Sequence, residues 1–409
     1  MIELLATSII LTVYLLSITR SIISIIGILT NVYYKVWHSE DIGLLNGGQL
    51  PRILVILPLF RESESDIQTT LESIFRQDYP HNLLKIVIVV EQDDEATLKN
   101  VVKVISSFPQ SNKGNISVLI KPGVRKGKAT AVNYVLNNVK FGDIVAIYDG
   151  GDVVYDKQQF LKAALKINEG YDIVGSRVFR TGKGIIGRLV FFDTLIWIKI
   201  GLPSLAKILK TPLVSGEGLF LKRSFIEKIG GLPESLTEDA FLTIYAEKLG
   251  AKIHLLSSDV YEASPANISS LVRQRLRWYR GHIDCFLYVI KSKGISFTSR
   301  IKLLLTYSNP LLIASIALAY IALFVMLMLN IYNIVLLLSF LIVLSTLSAP
   351  LYILPDIEHR HRKQLLLLPI YWFFLGIIAF IALTLPAKIG WYKTERRQHV
   401  DYKFLHAKI

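Results

Sequence analysis

The chain has 409 residues, 52% of them hydrophobic, a mean hydropathy of +0.45 and a formal net charge of +14. That hydrophobicity excludes an ordinary soluble protein, and the lone cysteine, Cys285, excludes an intramolecular disulfide. The basic excess flanks apolar runs and comes with no nucleic-acid-binding motif, so it reads as membrane topology and lipid headgroups, not nucleic acid.

Leu4 to Leu29 is almost wholly apolar, interrupted mainly by Arg20. Its length and the lack of a small-residue cleavage site predict an uncleaved anchor over residues 1–35 rather than a secretory signal. Pro310 to Leu329, Ile334 to Leu354 and Leu365 to Leu385 are each long enough to span hydrocarbon, and predict transmembrane segments within 306–388. Lys35, Arg52, Arg300 and Lys302 flank these runs, which by the positive-inside rule puts the region between the first two spans in the cytoplasm. Three spans would then leave the basic tail, 389–409, outside and against its charge. A re-entrant Leu365–Leu385, which holds Pro369 and Gly376, would remove the conflict.

Residues 50–268 alternate strand and helix. "RILVILPLF" (Arg52 to Phe60) is a short apolar strand. "ESDIQTTLESIFRQ" (Glu64 to Gln77) follows with Ile67, Leu71, Ile74 and Phe75 on one helical face. "LKIVIVVEQDD" (Leu84 to Asp94) is a second buried strand, "GKATAVNYVLNNV" (Gly127 to Val139) a helix, and "DIVAIYDGGD" a third strand. Continuous apolar strands between helices predict an α/β domain with a parallel sheet covered on both faces. Ligands bind such sheets at the carboxyl ends of the strands, where these acids fall. In "YDGGD", Asp149 and Asp152 either hold a divalent metal or close a turn. Within 269–305, "SLVRQRLRWYRGHIDCFLYVI" mixes basic and apolar residues at helical spacing, as an interfacial helix or one packed on the domain.

Four pieces in order, "LPLFRES" with "LESIFRQDYP", "VVEQDD", "YDGGD", and "TED" followed by "QRLRW", resemble the membrane-embedded family 2 glycosyltransferases. These share a GT-A nucleotide-sugar fold with cellulose, chitin and hyaluronan synthases and ceramide glucosyltransferase. The resemblance covers roughly Arg52 to His282 and the arrangement of membrane segments. It implies that Glu62 and Asp93 (or Asp94) contact the nucleotide, and that Arg125 and Lys128 of "RKGKATAVN" neutralise diphosphate or shape the donor pocket. Glu62 is otherwise a solvated loop residue.

The family's Asp-x-Asp, whose carboxylates hold Mg2+ or Mn2+ against the donor diphosphate, appears here with Asp149 at its first position. Gly151 stands at the second, and Asp152 comes one residue late. The resemblance makes Asp239 of "TED" the general base, beside Glu238. The competing reading of this stretch is a helix N-cap at Thr237. "QRLRW" supplies Gln274 for acceptor hydroxyls, Arg277 for diphosphate and Trp278 as a flat face for a sugar.

The reading is an inverting transfer of sugar from a nucleotide-sugar donor, with a UDP-sugar implied, to a lipid or growing glycan at the cytoplasmic face of the cell membrane. A processive synthase exporting its chain is the alternative within the family. A non-catalytic membrane scaffold or transport component is the alternative outside it.

Overall fold

The computed structural model describes residues 21–32, 49–123, 125–328, 347–384 and 393–396, with a few single positions between 12 and 40. The first strand is β1 (Ile53–Leu59), buried at every position except Pro58. Helix α1 (Glu64–Phe75) starts at Ser63, whose hydroxyl accepts the Asp66 N–H, and buries Ile67, Leu71 and Ile74 as its spacing dictates. Then come β2 (Leu84–Glu91), α2 (Glu95–Ser107), β3 (Ile116–Lys121), α3 (Lys128–Asn138) and β4 (Ile144–Ile147). The predicted strands and helices over Arg52 to Asp152 thus form where expected, each trimmed by a few residues at its ends.

Beyond β4 lie β5 (Val153–Val154), α4 (Gln159–Asn168), β6 (Ile173–Thr181), α5 (Gly184–Ile196), β7 (Leu219–Lys222), α6 (Glu238–Leu249) and β8 (Ile253–Ala263). All eight strands join one sheet in the order β3-β2-β1-β4-β7-β6-β8-β5. The half carrying β3, β2, β1 and β4 is parallel. The other half departs from the expected all-parallel sheet, because β7 runs antiparallel to both β4 and β6. A strand of four residues that returns beside β4 needs no crossover helix, so nothing in the helix–strand rhythm announces it.

Both faces are covered. Ile67, Leu71 and Phe160 pack one side of β1, β2 and β4, while Val132, Val135 and Leu242 pack the other. A third core joins α5 to α7 (Ile268–Lys291), α8 (Phe297–Tyr307), α9 (Asn309–Met328) and α10 (Leu368–Thr384). Gly376 of α10 presses on α9 so closely that a Cβ there would stand 2.8 Å from that of Ala317. Small residues at helix contacts are a habit of bilayer packing.

One described helix, His359–Thr384, is long and apolar enough to cross a membrane, and α8 with the start of α9 passes the same test as a pair bent by 46°. Most of the predicted span Ile334 to Leu354 lies outside the described residues, as does half of Leu4 to Leu29. The start of the basic tail packs on the α/β domain. Arg396 bridges to Pro265 there and pairs with Asp149, and Thr394 lies beside the same strand ends.

Candidate active site

The carboxyl ends of the parallel strands open into a cavity of about 590 Å³. Glu62, Arg125, Lys128 and Asp149 line it, joined by Glu238 and Asp239 from α6. Gln274, Arg277 and Trp278 of α7 complete the set that the structure brings together. Asp93 and Asp152 do not line it. Asp93 is exposed after β2, and its neighbour Asp94 caps α2, accepting the Thr97 and Arg61 N–H groups.

"YDGGD" divides its two acids. The Asp152 carboxylate folds under the turn, fully buried, and Oδ2 accepts the Asp149 N–H at 2.7 Å. Burial and the nearby Asp149 charge push it well above the usual carboxylate range, and its hydrogen bond closes the turn. The glycines serve separate needs. Gly150 lets Glu62 approach, since a Cβ there would lie 2.7 Å from the Glu62 carboxyl carbon. Gly151 has φ +89, a conformation that favours glycine, and its N–H reaches Thr70 Oγ1 at 2.9 Å.

Asp149 points the other way. Its Oδ1 lies 2.6 Å from Lys128 Nζ and its Oδ2 3.3 Å from Arg396. Burial raises this carboxyl, but Lys128 and Arg396 outweigh burial and hold it below the usual range. Lys128 also donates to the Gly216 carbonyl at 2.9 Å, tying the start of α3 to the loop before β7. Glu62 pairs with Lys393 at 2.7 Å. The site therefore has a tightly knit cluster of carboxylates and cations at its sheet end.

Asp239 lies on the first turn of α6, half-buried, with Oδ1 accepting the Ala240 N–H at 2.8 Å. Thr237 occupies the N-cap position, yet its hydroxyl makes no cap bond. Arg277 donates to the Leu236 carbonyl at 3.2 Å and so pins the loop that delivers this turn. The Trp278 ring does not present a bare face: the guanidinium groups of Arg180 and Arg275 each lie over it, 4.6 Å from its centroid. Gly281 brings α7 against α6, because a Cβ there would stand 2.2 Å from Thr237 Oγ1. We expect Gly281→Val to force the two helices apart. It should cost about 1–3 kcal/mol of stability, read as a lower thermal midpoint, with turnover falling more than donor affinity.

Sequence reasoning missed five residues of this cluster. Arg396 reaches Asp149 from 247 residues away, and Lys393 accompanies it; their charge was legible only as topology. Arg396 also pairs with Glu262 and donates to the Gly150 carbonyl at 3.1 Å. Arg180 reaches Glu262 at 2.6 Å and Glu217 at 3.6 Å. Glu217 had a signal, an acid between the glycines of "SGEG".

Burial, reinforced by Glu262, pushes the Glu217 carboxyl up to about 7. Burial, reinforced by Asp239, does the same for Glu238, also to about 7. A raised folded-state value stabilises fully below the unfolded value of 4.5 and the contribution is lost as pH rises through about 7. The thermal midpoint should therefore fall between about pH 4.5 and 7 and level off above. Glu217→Gln should flatten that fall, by up to about 1.4 kcal/mol per pH unit. Identical slopes in wild type and variant would remove Glu217 as a source.

Among the described residues, no three His, Cys, Asp or Glu side chains gather to hold a metal by themselves. A single cavity-lining carboxylate still fits Mg2+ or Mn2+, which take hard oxygen ligands and often only one or two carboxylates beside substrate phosphates. Asp149 is the motif carboxylate that lines the cavity, with Lys128 on Oδ1 and Arg396 on Oδ2.

A sheet with its parallel half ending on an acid–cation cluster, beside a carboxylate on a helix N-terminus, has the make-up of a GT-A glycosyltransferase. Residues 51–281 match the family described as Glycosyltransferase like family 2. The chain belongs to that family. It is 27% identical over 245 residues to the Probable glycosyltransferase YdaM of Bacillus subtilis (strain 168). That match covers 58% of this chain and 56% of YdaM, so the chain spans little more than half of its relative's length. The fold is similar to that of the mannosyltransferase PcManGT from Pyrobaculum calidifontis, solved with GDP-Man and Mn2+. The TM-score is 0.55 at 20% identity, over 82% of this chain and 98% of that one.

Proposed function

We propose that the protein moves a sugar from a nucleotide-sugar donor, a UDP-sugar by the family resemblance, to a hydroxyl of a lipid or growing glycan at the cytoplasmic membrane face, with inversion. The observation that carries this reading is the continuity of the cavity. Asp149, Lys128 and Glu62 line it together with Asp239, and so do Ile23, Leu312 and Leu375 from the apolar helices. A donor held among the charged groups and an acceptor entering along the apolar helices would meet beside Asp239.

Asp239 takes the acceptor's proton as its oxygen attacks the anomeric carbon. The bond to the diphosphate breaks in the same displacement, and its electron pair leaves with the nucleotide. One displacement inverts the centre, so no covalent intermediate is needed. Lys128 and Arg277 suit the departing charge, Lys128 because it already sits on the Asp149 carboxylate. Glu62, half-enclosed beside Gly150, suits the nucleoside. Asp149 would hold Mg2+ or Mn2+, which would supply charge neutralisation at the diphosphate.

The test is to supply UDP- and GDP-sugars to the purified full chain with membrane lipids and to analyse products by mass spectrometry. Single-sugar lipids support transfer to a lipid. A ladder of lengthening glycans supports the processive alternative. Donor left intact under every condition would overturn the catalytic reading of the cavity and favour a scaffold.

A further inference from the structure

His282 lies on the same stripe of α7 as two residues of the motif. Gln274, Trp278 and His282 follow at intervals of four, which on a helix puts them on one face over about 12 Å. All three line the cavity that holds Asp239. Gly281, the residue before it, is where α7 touches Thr237 at the start of α6, so His282 is held close to the turn that carries Asp239. From the other side its ring meets Tyr307 of α8 edge to face, with centroids 5.7 Å apart. Tyr307 itself donates to the Ala240 carbonyl at 2.6 Å, one residue past Asp239. Three helices therefore fix the imidazole beside the proposed base.

A histidine serving only the core would have its buried nitrogen satisfied. Here Nδ1 is buried with no hydrogen-bond partner among the described residues, while the ring is only half-buried and faces the cavity. Burial lowers its pKa despite the Asp239 charge, which keeps the ring neutral near pH 7. A closed-off Nδ1 is cheaper as a bare lone pair than as an orphan N–H, which leaves the proton on Nε2. The donor-end groups, Glu62 and Asp149, belong to the sheet, whereas His282 belongs to the wall that α8 and α9 continue.

We propose that His282 is an acceptor-binding residue, whose Nε2–H holds the acceptor oxygen in place over Asp239. The attacking hydroxyl gives its proton to Asp239, keeps one lone pair on His282, and uses the other to form the bond to the anomeric carbon. The bond to the diphosphate breaks with its electron pair going to the nucleotide, and His282 neither gains nor loses a proton. The inference rests on Asp239 being the base.

The test uses the full chain and octyl glucoside as acceptor probe, since it carries hydroxyls on an apolar chain. His282→Phe keeps the ring contact with Tyr307 and removes the N–H. It should lower kcat/KM for octyl glucoside by about tenfold while the KM for the donor stays put. His282→Gln, which returns an N–H near Nε2, should recover most of the loss. Wild-type kcat/KM in His282→Phe overturns the assignment, as does an equal fall in Phe and Gln variants with donor KM rising alongside. Transfer that survives Asp239→Asn would instead overturn the base, so the two failures are told apart. A melting curve for each variant excludes misfolding as the cause.

Discussion

Asp239→Asn should abolish glycosyl transfer while leaving donor binding nearly intact. The side chain keeps its shape, so Ala240 retains an oxygen to donate to, and the first turn of α6 stays formed. What disappears is the anion that accepts the proton. General-base loss typically costs about 10²–10⁴-fold in rate. Among the described residues no ion pair joins the cluster around Asp149 to Asp239, so nucleotide affinity has little reason to move. Calorimetric titration with nucleotide sugar, run beside the transfer assay, checks both halves. Near-normal turnover in a folded variant would remove Asp239 from the mechanism. Equal loss of binding and rate would mean that it belongs to the donor site.

How far such a site can be read from sequence depends on whether its parts are local. β1, β2 and β4 were legible because strands buried on both faces are written as continuous apolar runs, and the acids stand immediately after them. The Asp149 side chain and the Asp239 turn were legible as motif residues that the cavity then gathers. The fate of Asp152 was not. A carboxylate that folds back on the N–H three residues earlier has the same spelling as one that reaches a ligand, and only its burial separates them.

Long-range partners were equally hidden. Arg396 sits beyond the last apolar run, where its charge reads as topology, yet it lies on Asp149 and Glu262. Trp278 reads as an open stacking face until Arg180, nearly a hundred residues away in the chain, is found over it. The antiparallel β7 was missed for the opposite reason: with four residues it has too little pattern to announce its direction.

Removing the Asp149 charge should have the second large effect, and it separates the two acids of "YDGGD". Asp149→Asn is the better variant than Asp149→Ala, because it leaves a side chain between Lys128 and Arg396 while withdrawing the anion they share. Lys128 and Arg396 are half-buried and keep the Gly216 carbonyl and Glu262, so losing the shared anion should cost less than the ~3–5 kcal/mol of a broken buried pair, and a melting curve must accompany the assay. If Asp149 holds the divalent ion, activity depends on Mg2+ or Mn2+ in the wild type and vanishes with chelator. The variant should then need at least about tenfold more Mn2+ for half activity, the change expected when about 1.4 kcal/mol of ligand binding is lost. Asp152→Asn makes the contrast. Its carboxyl is buried and pushed toward the neutral form, and an amide oxygen can still accept the Asp149 N–H. The Mn2+ titration of Asp152→Asn should therefore overlay the wild-type curve, with stability nearly unchanged. A rightward shift for Asp152→Asn would show that the turn opens and brings the second acid into the site. An unshifted curve for Asp149→Asn would sink the metal reading of the whole stretch, leaving Lys128 and Arg396 as the charges that meet the diphosphate.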